Sequence, residues 1–184
     1  MIDLLSTQKA LIAPHLFPGA AAADFTMGNG HDTLWLSEQV GETGRVYAFD
    51  IQDQALSKTA ALLKEHGREN VTLIHDSHAN AKAHIPEPIA AGLFNLGWLP
   101  GGDKRVTTRR ESTLPAIRAA LELLAPGGAL LVAVYPGHPE GAAEGELIRQ
   151  ELAALSRFAF CATLVRIVNS PAAPFFFLIE KKES

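Results

Sequence analysis

The run Asp24-Phe-Thr-Met-Gly-Asn-Gly-His-Asp-Thr33 constrains this chain more than any other, because it joins an apolar stretch to a helix through two glycines and no linker. Residues 20–25, four alanines followed by Asp24 and Phe25, read as a short buried strand, and 31–40 carry apolar residues at helical spacing. Gly28 and Gly30 supply the tight turn and let backbone approach a ligand where a Cβ would collide, while the helix that follows offers free N–H groups. About twenty residues further on, 45–50 reads as a second strand ending in Asp50. An acid at that spacing is placed to hold both ribose hydroxyls of a nucleoside. Turn, spacing and acid agree on a nucleoside-bearing cofactor.

The remaining chain repeats the alternation. A helix over 4–16, ended near Pro14, carries no obvious chemistry. A helix over 52–66 places Leu56, Ala60 and Leu63 on one face and ends at Gly67. Strands follow at 71–75, 89–95, 129–134, 158–168 and 175–179, with helices to about 85, over 113–124 and over 142–155, and a turn at 126–128. The expected fold is α/β and Rossmann-like, a seven-stranded, mostly parallel sheet with right-handed crossovers and a C-terminal antiparallel hairpin.

With 184 residues and 47% hydrophobic content, one domain over 1–184 is expected, 1–19 being an N-terminal helical extension. The first residues lack a leader pattern and no apolar run reaches the roughly 18 residues of a membrane span, so a soluble, cytoplasmic protein is expected. The lone cysteine, Cys161, lies in an apolar run and reads as a buried core thiol; no Cys/His metal spacing is present. A net charge of −4 argues against a broad electropositive surface but leaves room for a local basic patch.

In such a sheet the ligand sits at the carboxyl ends of the strands. Five polar clusters fall there: Thr26 to Asp32, Asp50 to Gln52, Asp76 to His78, Asn95 to Lys104, and Tyr135 to His138. A nicotinamide dehydrogenase would place a third glycine where Thr33 stands, and no Tyr-x-x-x-Lys follows. An S-adenosylmethionine enzyme needs an acid ending strand one, alternate glycines, a ribose acid, an adenine contact and a substrate-orienting motif. Asp24, Gly28 with Gly30, Asp50, Asp76 and Asn95 fill these places in order.

Secondary cofactor contacts are expected at Asn29, Asp32, Gln52, Ser77 and His78. Asn29 could instead serve the turn, Asp32 the helix dipole, and Ser77 a helix N-cap. Lys104, Arg105, Arg109 and Arg110 place four cations beside the Asn95 loop, either as a solvated face or as RNA phosphate contacts. Tyr135 and His138 could line the substrate side. His31, Asp32 and His138 are the candidates for taking the proton of an ammonium substrate.

Taken whole, Thr26 to Thr33, Phe49 to Gln52, His75 to His78, Phe94 to Lys104 and Tyr135 to His138 resemble the rRNA-methylase family of class I S-adenosylmethionine-dependent methyltransferases, over nearly the full chain. Amine-directed methyltransferases carry Asn/Asp-Pro-Pro-Tyr/Phe after strand four. Asn95 and Trp98 match this motif as catalytic residues, whereas Leu96 and Gly97 depart from it, and Met27 stands where an alanine is more usual. The resemblance implies S-adenosyl-L-methionine as cofactor and N-methylation of the 5-aminomethyl group of 5-aminomethyl-2-thiouridine at the tRNA wobble position. It also implies contact with the tRNA anticodon loop and a homodimer. An rRNA, a small-molecule amine, and a non-catalytic nucleotide-binding role are the alternatives.

Overall fold

Short apolar runs bounded by glycine and polar turns can satisfy their backbone only by pairing side by side, and here seven of them do so. The computed structural model describes residues 3–99, 101, 107–137 and 139–183. In chain order the elements are α1 (Leu4–Ile12), β1 (Ala21–Asp24), α2 (His31–Val40), β2 (Arg45–Asp50), α3 (Asp53–Glu65), β3 (Val71–His75), α4 (Ala81–His84), β4 (Ile89–Asn95), α5 (Arg110–Leu123), β5 (Leu124–Val134), α6 (Pro139–Ala153), β6 (Phe160–Val165) and β7 (Phe175–Lys181). The sheet order is β3-β2-β1-β4-β5-β7-β6. β1 to β5 pair in parallel, and β7 runs antiparallel to both of its neighbours. The chain order therefore reverses between β1 and β4, which opens a crevice at the carboxyl ends of β1, β2 and β4.

Because helices cover both faces, the central strands read as continuous apolar runs, and all four residues of β1 are buried. Ile12 of α1 with Leu36 and Val40 of α2 packs on one face against Val46, Leu131 and Phe176. On the other face Ala81, Ile117 and Ile148, from α4, α5 and α6, pack against Phe94, Leu130 and Val132. Phe25, Phe49 and Phe94 lie nearly parallel there, with ring centroids 5.8 Å apart for Phe25 and Phe49 and 4.4 Å for Phe25 and Phe94.

Several readings from the sequence need correction. The buried face of α3 is Ala55, Thr59 and Leu63; Ala60 is exposed and Leu56 only half-buried. Thr59 turns inward because its hydroxyl donates to the Gly28 carbonyl at 3.2 Å, which offsets the cost of burying it. Cys161 is exposed, since β6 is an edge strand on which residues 161–164, pointing alternately to the two faces of the sheet, are all exposed. The turn expected at 126–128 is absorbed into β5, where pairing with β4 shifts register between Ile89 and Ala91. Both α5 and α6 begin three residues earlier than expected. Among the described residues no helix is long and apolar enough to cross a membrane.

Candidate active site

At the reversal point lies a cavity of about 330 Å³, and it is lined from all five polar clusters: Thr26 and Gly28; Asp50 to Gln52; Asp76 to His78; Asn95 to Leu99; and Tyr135. Thr107 and Thr108 close it from the segment leading into α5 and Ser112 from the first turn of that helix, and Phe25 with Phe49 supplies apolar wall.

The glycine turn is held by two acids with different tasks. Asp50 lines the cavity, its Oδ2 accepting from the Gly28 N–H at 3.1 Å and its Oδ1 from the Gln52 N–H at 3.0 Å. Each carboxylate oxygen has a second acceptor site, so the group retains capacity for a diol. Asp24 does not reach the cavity. It is fully buried and accepts from the Thr26 N–H at 3.1 Å and the Thr33 hydroxyl at 2.6 Å. Burial, with Asp32 and Asp50 nearby, pushes its carboxyl up to about 7 although both hydrogen bonds oppose the shift. Asp24, expected as a direct cofactor contact, thus sits behind the lining and braces the turn and the first turn of α2 from beneath.

Gly30, also expected at the cofactor, is absent from the cavity lining. Its φ is +85°, and a Cβ there would lie 2.7 Å from Thr59 Oγ1, so this glycine lets α3 close against the turn. Asn29 stays outside the cavity lining, its amide oxygen 3.3 Å from Lys58 Nζ.

After β3, Asp76 accepts from the Ser77 N–H at 2.7 Å, Asn80 Nδ2 at 3.0 Å and His84 Nε2 at 2.8 Å. The His84 bond is the chief reason its carboxyl lies below the usual range. Ser77 both lines the cavity and caps the turn that follows, its hydroxyl 3.3 Å from the Ala79 N–H. His78 Nδ1 lies 2.9 Å from the Phe25 carbonyl, which can only accept, so Nδ1 carries the proton. Burial lowers its pKa and keeps the ring neutral, leaving Nε2 as an acceptor.

Asn95 is fixed twice. Its N–H donates to Thr26 Oγ1 at 2.7 Å, and its Nδ2 donates to Asp32 Oδ2 at 2.8 Å. A carboxylate only accepts, so Asp32 sets the amide's orientation and leaves Oδ1 available as an acceptor. Asp32 is absent from the cavity lining and in turn pairs with Lys9 Nζ at 3.0 Å. α1, read as carrying no chemistry, therefore reaches the site through Lys9. Trp98 and Tyr135 stand at the rim, 37% and 36% exposed.

The cation cluster fares differently. Lys104 and Arg105, like His138, lie outside the described residues. Arg109 is exposed at the start of α5, while Arg110 pairs with Glu140 at 3.3 Å; neither lines the cavity, and nor does exposed His31. Several contributors carried no signal in the sequence: Thr33 and Thr59 behind the turn, and Thr107, whose buried hydroxyl has no partner in the cavity wall. An orphaned hydroxyl in the lining fits a site that completes its hydrogen bonds with a ligand.

This sheet order, with a glycine turn after the first strand and an acid after the second, is that of the Rossmann-like methyltransferases. Within that class the chain belongs to the family described as "Putative rRNA methylase", whose model matches residues 46–181. It is similar to the "tRNA (mnm(5)s(2)U34)-methyltransferase, chloroplastic" of Arabidopsis thaliana, 35% identical over 177 residues, 90% of this chain and 65% of that protein. The chain thus spans just under two thirds of that relative. Among solved structures it resembles a "putative rRNA-methylase" from Clostridium thermocellum at 37% identity and a TM-score of 0.95, covering 98% of each chain. It also resembles a "putative methyltransferase" from Streptococcus mutans in complex with SAH, at 36% identity and a TM-score of 0.90, covering 98% of this chain and 99% of that one.

Proposed function

We propose that the protein is an S-adenosylmethionine-dependent N-methyltransferase that converts the 5-aminomethyl group of 5-aminomethyl-2-thiouridine, at the wobble position of tRNA, to its methylaminomethyl form. The observation that carries the amine target is Asn95: Asp32 takes its N–H and frees its amide oxygen beside the cavity wall. An acceptor so placed suits a nitrogen that has hydrogens to donate. The choice of tRNA rests on the Arabidopsis relative, and the family description keeps rRNA as the second reading.

The bound cofactor supplies an electrophilic methyl on a sulfonium, which becomes a neutral thioether as the amine nitrogen forms its new C–N bond. The chain's own contribution is alignment and exclusion of water. Asp50 holds the ribose diol, Gln52 and Ser77 flank the nucleoside, and His78 offers Nε2 to a donor such as an adenine amino group. Asn95 accepts from the target nitrogen and aims its lone pair, and Trp98 stacks on the base of a splayed anticodon nucleotide. The amine must arrive neutral, so its proton leaves before transfer, and the secondary ammonium formed sheds another afterwards. Arg109 and the segment holding Lys104 and Arg105 contact RNA phosphates. Exposed residues 161–164 on edge strand β6 suit the expected homodimer. The protein acts in the compartment that holds its tRNA, the cytoplasm in a bacterium.

Nucleoside mass spectrometry of tRNA from a strain lacking the gene tests this. The unmethylated aminomethyl nucleoside should accumulate and disappear on complementation with the wild-type chain but not with Asn95→Ala. An unchanged tRNA profile with a missing rRNA methyl group moves the substrate to the ribosome.

A further inference from the structure

The sequence Asn95-Leu-Gly-Trp98 lacks the two prolines that stiffen the motif it resembles. Gly97 sits at φ +138° with no neighbouring atom where its Cβ would be, so nothing local to the peptide restrains it. The restraint comes from across the fold. Gly97 N–H donates to Thr108 Oγ1 at 2.9 Å, and the Thr108 N–H donates back to the Gly97 carbonyl at 2.9 Å. The Thr108 hydroxyl in turn donates to Glu144 Oε2 at 3.1 Å, and the other oxygen of Glu144 accepts from the Thr113 hydroxyl. Glu144 lies on α6, is 1% exposed and does not line the cavity. Nothing in the catalytic scheme above uses it.

A hydroxyl has one proton and two acceptor sites. With its proton committed to the Glu144 carboxylate, the Thr108 oxygen must present a lone pair elsewhere, and it meets Gly97 N–H. The Leu96–Gly97 peptide is trans, so anchoring Gly97 N–H on Thr108 turns the Leu96 carbonyl the opposite way. Leu96 itself cannot swing, because its side chain is buried and its N–H donates to the Ala133 carbonyl at 2.9 Å.

We propose that Glu144 and Thr108 are positioning residues: through the Thr108 hydroxyl, the buried Glu144 carboxylate locks the Leu96–Gly97 peptide and holds the Leu96 carbonyl as the second acceptor for the target amine beside Asn95 Oδ1. Two hydroxyl-relayed bonds thus replace the rigidity of the missing prolines. This rests on the amine-methylation reading, and its test keeps the two apart.

Thr108→Val removes the hydroxyl at nearly constant shape, Thr108→Ser restores it, and Glu144→Gln removes the charge that directs it. Three measurements are made on the full chain: affinity for S-adenosylhomocysteine by calorimetry, methyl transfer to tRNA from a strain lacking the modification, and hydrogen exchange of the peptide spanning 95–99. Thr108→Val should leave the cofactor-product affinity within about twofold and lower kcat at least about tenfold with KM for tRNA little changed, the pattern of an interaction used in the transition state. Thr108→Ser should recover most of the loss, and exchange at 95–99 should quicken in Thr108→Val and Glu144→Gln. Turnover of Thr108→Val equal to wild type, a parallel loss of affinity and kcat, or no recovery in Thr108→Ser overturns the proposal. If wild-type protein leaves tRNA unmethylated, the substrate reading falls and the exchange data decide alone: unaltered exchange at 95–99 overturns the clasp, and faster exchange supports it.

Discussion

Asp24→Asn isolates the acid buried beneath the glycine turn. In the wild type this carboxyl has a folded-state pKa of about 7 against 3.8 for the ordinary group, because burial disfavours its charge. Well below pH 3.8 it is protonated in both folded and unfolded chains and contributes no pH dependence. As pH rises towards 7 the unfolded chain releases the proton and the folded chain keeps it, so stability falls. About three pKa units at about 1.4 kcal/mol each gives a loss of about 4 kcal/mol between pH 4 and pH 8. Asparagine cannot ionise. Its oxygen still accepts from the Thr26 N–H, and its amide donates to a Thr33 hydroxyl that also accepts, so the substitution itself costs about 1 kcal/mol. Urea unfolding followed by circular dichroism at pH 4.5, 6, 7 and 8 reads the difference between the two proteins, in which titrating groups that do not interact with Asp24 cancel. Wild type should be level with or slightly above Asp24→Asn at pH 4.5 and should fall below it by a few kcal/mol at pH 8. Two curves that stay parallel within about 1 kcal/mol over this range would refute the burial argument.

Asp50→Ala should weaken S-adenosylhomocysteine binding at least about tenfold, or about 1.4 kcal/mol, by calorimetry; undiminished affinity removes the acid from the ribose site. Gly30→Ala should lower stability by about 2–5 kcal/mol, since it combines a left-handed backbone with a Cβ pressed on Thr59, and Thr59→Ala in the same chain should recover part of it; a thermal midpoint equal to wild type contradicts the packing role.

The strands and most helices were legible because alternation of short apolar runs with amphipathic segments admits few arrangements, and the strand-end acids and glycines point at one rim once the sheet is parallel. What was hidden depends on partners distant in the chain. The inward turn of Thr59 is set by a carbonyl 31 residues away, where hydrophobic periodicity favours Ala60. Cys161 sits in an apolar run, but nothing local says that its strand ends up at the edge of the sheet. Asp24 was visible as an acid ending β1, yet whether it faces a cavity or Thr33 depends on how α2 packs. Glu144 lies in a helix rich in alanine and glutamate, where a buried acid and a solvated one have the same local pattern.

The placement of β7 has a consequence for synthesis on the ribosome. β7 lies between β5 and β6 although it is made after both, and Phe175 to Glu180 pair with the whole stretch Ala129 to Val134. Until the chain has been extended through residue 181, β5 is an open edge of apolar residues, and β6 has no neighbour in the sheet. A nascent chain stalled between 135 and 174 therefore carries a complete glycine turn and strand-end acids beside a sticky, unpaired border. Such a chain is prone to aggregate through that border, and the seven-residue strand β7 is the step that seals it.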